Sequence, residues 1–252
     1  MNDTIIGALV LACLFGAGLL GLRVRAALPE DHRSTETKDA VKVGMGLVAT
    51  MAALVLGLLV ASTKGSYDTQ KNEVIQMAAK TVFLDRVLAN YGSETAESRD
   101  ILRQSVRSAI DHMWPDKKSS QAAQLDPSVS SGEAFFNSIQ KLSPQNDVQR
   151  SLKSQAAQIA TDLGQMRWLL FEQTETSISV TMLIVLISWL AIIFMSAGLF
   201  APPNATVVIA LMLAALSIAG AIFLILELDS PFDGVIQISK RPMHNALIHL
   251  GH

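Results

Sequence analysis

Charge is scarce in this 252-residue chain: Lys, Arg, Asp and Glu make up 17% of it, against 50% hydrophobic residues. None of those charges falls within Thr4 to Leu22, Val43 to Ala61, Ile178 to Phe200 or Val207 to Leu226. With a mean hydropathy of +0.36, the chain is too apolar for an ordinary soluble domain. The single cysteine, Cys13, excludes an intramolecular disulfide. A formal net charge of -2 leaves no basic footprint for nucleic acid. There is no Gly-rich phosphate loop, no zinc-type spacing of His and Cys, and no Gly-x-Ser-x-Gly elbow, so the expectation is a non-enzyme without cofactor. His244 and His249 do not share a helix face well enough for a metal site, and Asp111-His112 reads as a surface pair.

What the chain has instead is length in its uncharged runs. Each reaches the roughly 20 residues that cross a hydrocarbon core of about 30 Å at about 1.5 Å per residue. The fold expected is an all-α integral membrane protein with four transmembrane helices and an extramembrane helical bundle inserted between the second and third. Its parts divide as residues 1–63, a helical pair with a short basic loop; 64–177, the helical insert; 178–227, a second pair; and 228–252, an acidic turn with an amphipathic tail. The first run lacks a basic segment before it and is followed by Arg23 and Arg25, which makes it a retained anchor, not a signal peptide. Arg23, Arg25, Arg33, Lys38 and Lys42 stand in residues 23–42, against no basic side chain in Ala201 to Thr206. The positive-inside rule then puts residues 23–42 in the cytoplasm, and the insert and tail outside. Lys64, Lys71, Arg167, Lys240 and Arg241 at the other face weigh against that orientation.

The second run carries Ala49, Ala53, Gly57 and Ala61 at intervals of four. These small side chains fall in a row down one helix face, where another backbone can approach closely, within or between subunits. Gly7, Gly16, Gly18 and Gly21 give the first run a similar character. A pore wall is the alternative, with Thr50, Ser62 and Thr63 as its polar side.

Residues 64–177 are charge-balanced and helical in pattern. Val74, Met77, Leu84, Leu88 and Tyr91 form one stripe, and Leu102, Val106, Ala109 and Met113 form a second, with a break near Gly92 to Ser93. Asp116 to Ser131 reads as a loop, Ser130 with Glu133 as a capping box, and Ser143-Pro144 as the N-cap and first residue of the next helix. That helix keeps Leu152, Ala156, Ile159, Leu163, Met166 and Leu170 at a strict 4-3-4-3-4 spacing and needs a partner along its length. With no proline between Gln145 and Phe200, it is expected to run on into the third span. Asp68 to Tyr91 is expected to extend the second span past Gly65. Trp114 and Trp168 read as packing or interfacial anchors.

The tail leaves the last span through Glu227, Asp229, Pro231, Phe232, Asp233 and Gly234, and the helix cannot pass Ser230 without losing a hydrogen bond to the proline. In the simplest reading Asp229 caps the turn while Glu227 and Asp233 face solvent. In the functional reading these carboxylates, repeated around an oligomer, form an acidic ring that concentrates cations at a pore mouth, or holds a hard divalent ion through oxygen ligands with Asp229 and Asp233 as the candidates.

A spanning pair, a helix ending in Met113-Trp114-Pro115, a second spanning pair, and Leu228 to Gly234 followed by Ile238-Ser239 and Pro242 together resemble the bacterial bestrophin-like domain family, a domain of unknown function. The resemblance covers nearly the whole chain. It implies a multi-pass protein of the bacterial inner membrane, under a family name borrowed from anion channels. The tail departs from the family pattern at Ser230, where Arg is common, and at Asp233, where Ser is, so it is more acidic. Two functions follow: a homo-oligomeric, channel-like pore in the lipid bilayer passing an inorganic ion, or a non-conducting membrane module whose periplasmic helical domain binds a partner or senses the envelope.

Overall fold

The computed structural model describes residues 3–27, 29, 35–114, 131–175 and 179–251, and no strand occurs among them. Eight helices follow one another along them: α1 (Asp3–Ala27), α2 (Thr35–Tyr91), α3 (Ala96–Met113), α4 (Ser131–Gln140), α5 (Asp147–Glu175), α6 (Val180–Phe200), α7 (Ala205–Asp229) and α8 (Arg241–His249). Four of them, α1, α2, α6 and α7, are long and apolar enough to cross a membrane. The chain divides into two compact units, residues 1–67 with 177–230, and residues 68–176 with 231–252.

The first unit is built on α1. Gly21 of α1 lies so close to α6 that an added Cβ would stand 2.1 Å from the Met195 carbonyl oxygen, and one on Gly198 of α6 would stand 2.1 Å from that of Gly18. No residue but glycine lets two helix backbones meet at that distance. Arg25 donates to the carbonyl of Ala201, the residue capping α6, so α1 and α6 run in the same direction and end together. The opposite pairing, Gly7 beside Phe223 and Gly18 beside Leu211, makes α7 antiparallel to both. The hydrophobic core between these helices has Leu14, Leu186, Ala215, Ile222 and Ile225 at 0% exposure, and Ala52 and Leu59 add α2 to it. Asn204 starts α7 by accepting from the Val207 N–H at 2.9 Å.

α2 is 57 residues long and unbroken through Lys64 and Gly65, so the second span does extend to Tyr91. The third does not continue α5. That helix ends at Glu175, and Ser179, with extended backbone (φ -58°, ψ 111°), stands as the N-cap of α6. Absence of proline therefore permitted a continuous helix without enforcing one.

In the second unit the stripe on α2 is buried as its spacing demands: Val74, Met77, Leu84, Leu88 and Tyr91 are 0 to 7% exposed. Gly92 (φ 139°) ends α2, a one-turn 3-10 segment at Ser93–Thr95 follows, and the Thr95 hydroxyl donates to the Leu88 carbonyl at 2.7 Å to brace the corner. Leu102, Val106 and Met113 of α3 and Ala156, Ile159 and Leu170 of α5 are buried, while Ala109, Leu152, Leu163 and Met166 are half-buried. The start of α5 differs from expectation. It is capped by Asn146, whose Oδ1 accepts from the Gln149 N–H at 2.8 Å, while the Gln149 side chain accepts from the Gln145 N–H at 2.7 Å. Ser143 and Pro144 lie before the helix because this reciprocal pair satisfies two donors where a single serine satisfies one. The loop expected from Asp116, and Ser130 as a cap, fall outside the described residues.

Candidate functional site

The tail is a turn held from both ends. Pro231 and Phe232 are buried, Asp233 to Val235 are exposed, and the Ile238 N–H closes the turn on the Pro231 carbonyl at 2.7 Å. Gly234 sits at φ 83°, where a side chain would be strained, and the Gln237 amide donates to its carbonyl at 2.9 Å. The closed turn sits against Trp114 at the end of α3. The indole Nε1 donates to the Ile238 carbonyl at 2.8 Å, and the ring meets Phe232 edge to face at a centroid distance of 5.6 Å and an interplanar angle of 76°. Trp114 and the turn from Pro231 to Ile238, more than 100 residues apart in the sequence, are thus one packed cluster.

The rest of the tail is fastened by charge. Asp85 on α2 is 1% exposed and takes two hydrogen bonds from the Arg99 guanidinium, at 2.8 Å from Nε and 2.9 Å from Nη2. The Gly251 backbone N–H donates to the same carboxylate at 3.2 Å, just past α8, whose Met243 and Ala246 are buried. Burial alone would raise the Asp85 pKa, but the Arg99 fork, the Gly251 N–H and the guanidinium charge together hold it below the ordinary carboxylate value. α2 is also tied to α5. Lys80 donates to Asp162 at 2.6 Å and lowers that carboxyl's pKa, and the Gln149 amide donates to the Tyr91 carbonyl at 3.1 Å.

The acids that the sequence grouped differ in exposure. Glu227 is 2% exposed in the last turn of α7, Asp229 is half-buried, and Asp233 is exposed. Glu227 thus does not face solvent, because it lies beside Leu228 and Ile225 in the buried part of the α7 end. Among the described residues no group of three or more His, Cys, Asp or Glu is arranged to hold a metal ion. The small-residue row on α2 is outward-facing: Ala49 is half-buried, Ala53, Gly57 and Ala61 are exposed, and a Cβ on Gly57 would meet nothing within 4 Å. Close helix packing inside the chain falls to Gly18, Gly21 and Gly198 instead.

The Asp85–Arg99 pair and the Trp114–Ile238 bond are what sequence reasoning missed. Asp85 stands one residue after the buried Leu84 of the stripe, a position adjoining the core, and that was the one signal available.

The sequence model of the bestrophin-like domain matches residues 12–243 of the chain. No curated protein and no solved structure matches it.

Proposed function

The chain belongs to the bestrophin-like family, a membrane protein by that membership and its four apolar helices, and from that premise we propose that it assembles as a homo-oligomer around a channel-like pore. The observation that carries this is the exposure of α2. Only 11% of its most apolar window is buried within the chain, against 22 to 28% for α1, α6 and α7, and its exposed face bears Ala53, Gly57 and Ala61. A spanning helix whose small side chains face away from its own chain is suited to backbone contact with another copy. The core of the first unit is apolar apart from the buried Thr63 and Glu227 and is closed by glycine contacts, which supports a water path between copies over one through a chain.

In this reading residues 64–177 and the tail form the extramembrane part, on the periplasmic side of a bacterial inner membrane. Asp233, exposed at the turn, is the carboxylate available to a pathway, and it favours cations. Planar-bilayer recording of the purified protein tests the proposal, with Asp233→Asn shifting the reversal potential toward anions. The non-conducting module is the second reading. It is favoured by the lack of any charged side chain in the four uncharged runs, where ion paths often place one.

A further inference from the structure

The second unit holds a cavity of about 730 Å³, lined from α2, α3, α4, α5 and α8, within the range of roughly 300–1,000 Å³ usual for small-molecule sites. Its interior is apolar: Met77, Leu102, Val106, Phe135 and Met243 line it and are 1 to 7% exposed. The hydroxyl of Thr81, also on its wall, is committed to the Met77 carbonyl at 2.8 Å, which makes this wall a poor place for a polar headgroup.

The polar end of a ligand therefore belongs at the outer lining, where Arg167, Glu133, Phe136 and Trp168 stand. Phe136 and Trp168 are 38% and 52% exposed, a large aromatic surface to leave in water. The Arg167 guanidinium reaches over the first turn of α4, 3.6 Å from where a Cβ on Gly132 would be. Arg167 is half-buried while Glu133 is exposed, so the guanidinium is the more enclosed of the two charges on this lining. A planar guanidinium matches a carboxylate in shape as well as charge.

We propose that this cavity binds one long-chain fatty acid, its hydrocarbon tail along Met77, Leu102, Val106 and Met243 and its carboxylate at Arg167. The binding stands or falls independently of conduction.

The test is saturable binding of tritiated palmitate to the full-length protein in nanodiscs, with binding to empty nanodiscs subtracted. One site per chain is expected. Arg167→Gln weakens it about tenfold, the worth of one charged hydrogen-bonded contact; Glu133→Gln does not weaken it; and Ala109→Phe, which fills the cavity, abolishes it. Binding no greater than that of empty nanodiscs, or equal in parent, Arg167→Gln and Ala109→Phe, overturns the proposal. Should Ala109→Phe fail to fold, a diazirine-bearing fatty acid decides on the parent protein. With the diazirine near the end of the hydrocarbon tail, crosslinks at Met77, Leu102, Val106 or Met243 support the site, and crosslinks confined to α1, α6 and α7 refute it.

Discussion

Trp114 and Ile238, 124 residues apart, are joined by a 2.8 Å hydrogen bond from indole to carbonyl. That bond makes a loop closure of the two motifs on which the family resemblance rests. Its strength can be read directly. Trp114→Phe keeps an aromatic ring beside Phe232 but leaves the Ile238 carbonyl without its donor, which costs about 1–3 kcal/mol. Phe232→Ala removes a buried ring and costs more, about 3–5 kcal/mol. Thermal unfolding should rank the two in that order, with limited proteolysis quickening within residues 233–240 in both.

The glycine contact between α1 and α6 gives a second expectation. Gly198→Ala puts a methyl 2.1 Å from the Gly18 carbonyl, so the helices must separate, at a cost of about 1–3 kcal/mol or more. Gly220→Ala, with nothing within 4 Å, should be neutral or stabilising by up to about 1 kcal/mol. Unfolding of both variants in detergent checks the contrast, and equal melting would remove the close approach.

Asp85, buried where Asp162 is only half-buried, contributes to the pH dependence. Its pKa is lowered in the fold, so its contribution is fully present above the unfolded value of about 4 and is lost as pH falls through the lower folded value. Asp85→Asn should abolish that acid dependence and, at neutral pH, destabilise by about 3 kcal/mol by leaving the Arg99 charge without its partner. Melting temperatures of parent and variant between about pH 3 and about pH 7 test this. Parallel curves would show that Asp85 does not titrate in the way its bonds require.

Spans, stripes and the break at Gly92 were legible because hydropathy and helical period are local properties of the sequence. Val74 to Tyr91 repeat on one face, and burial follows. The interruption between α5 and α6 was not legible, since nothing in the composition around Ser179 forbids a helix there. Nor was the Asn146 cap, where two neighbouring polar residues outcompete a serine-proline pair with an equally plausible local signature. The candidate site was legible in identity but not in arrangement. Pro231, Phe232 and Gly234 stood out as a turn, yet the burial of Glu227 and the partnership of Asp85 with Arg99, 14 residues on, depend on tertiary contacts that no spacing encodes.

Gly57 reports on assembly alone. A Cβ there meets nothing within 4 Å, so a change in particle mass on substitution points to contacts with other copies. Light scattering after size exclusion should show Gly57→Leu or Ala53→Leu as smaller particles than the parent, since overpacking a close helix contact costs about 1–3 kcal/mol per copy. An unchanged mass would take this face out of the interface.

Single-channel recording bears most directly on the central proposal of a homo-oligomeric pore. Purified parent protein in planar bilayers should give discrete unitary currents, absent from Gly57→Leu at equal protein and shifted toward anions in reversal potential by Asp233→Asn. Silent bilayers containing parent protein whose oligomeric mass is intact would contradict the pore and leave the non-conducting module standing.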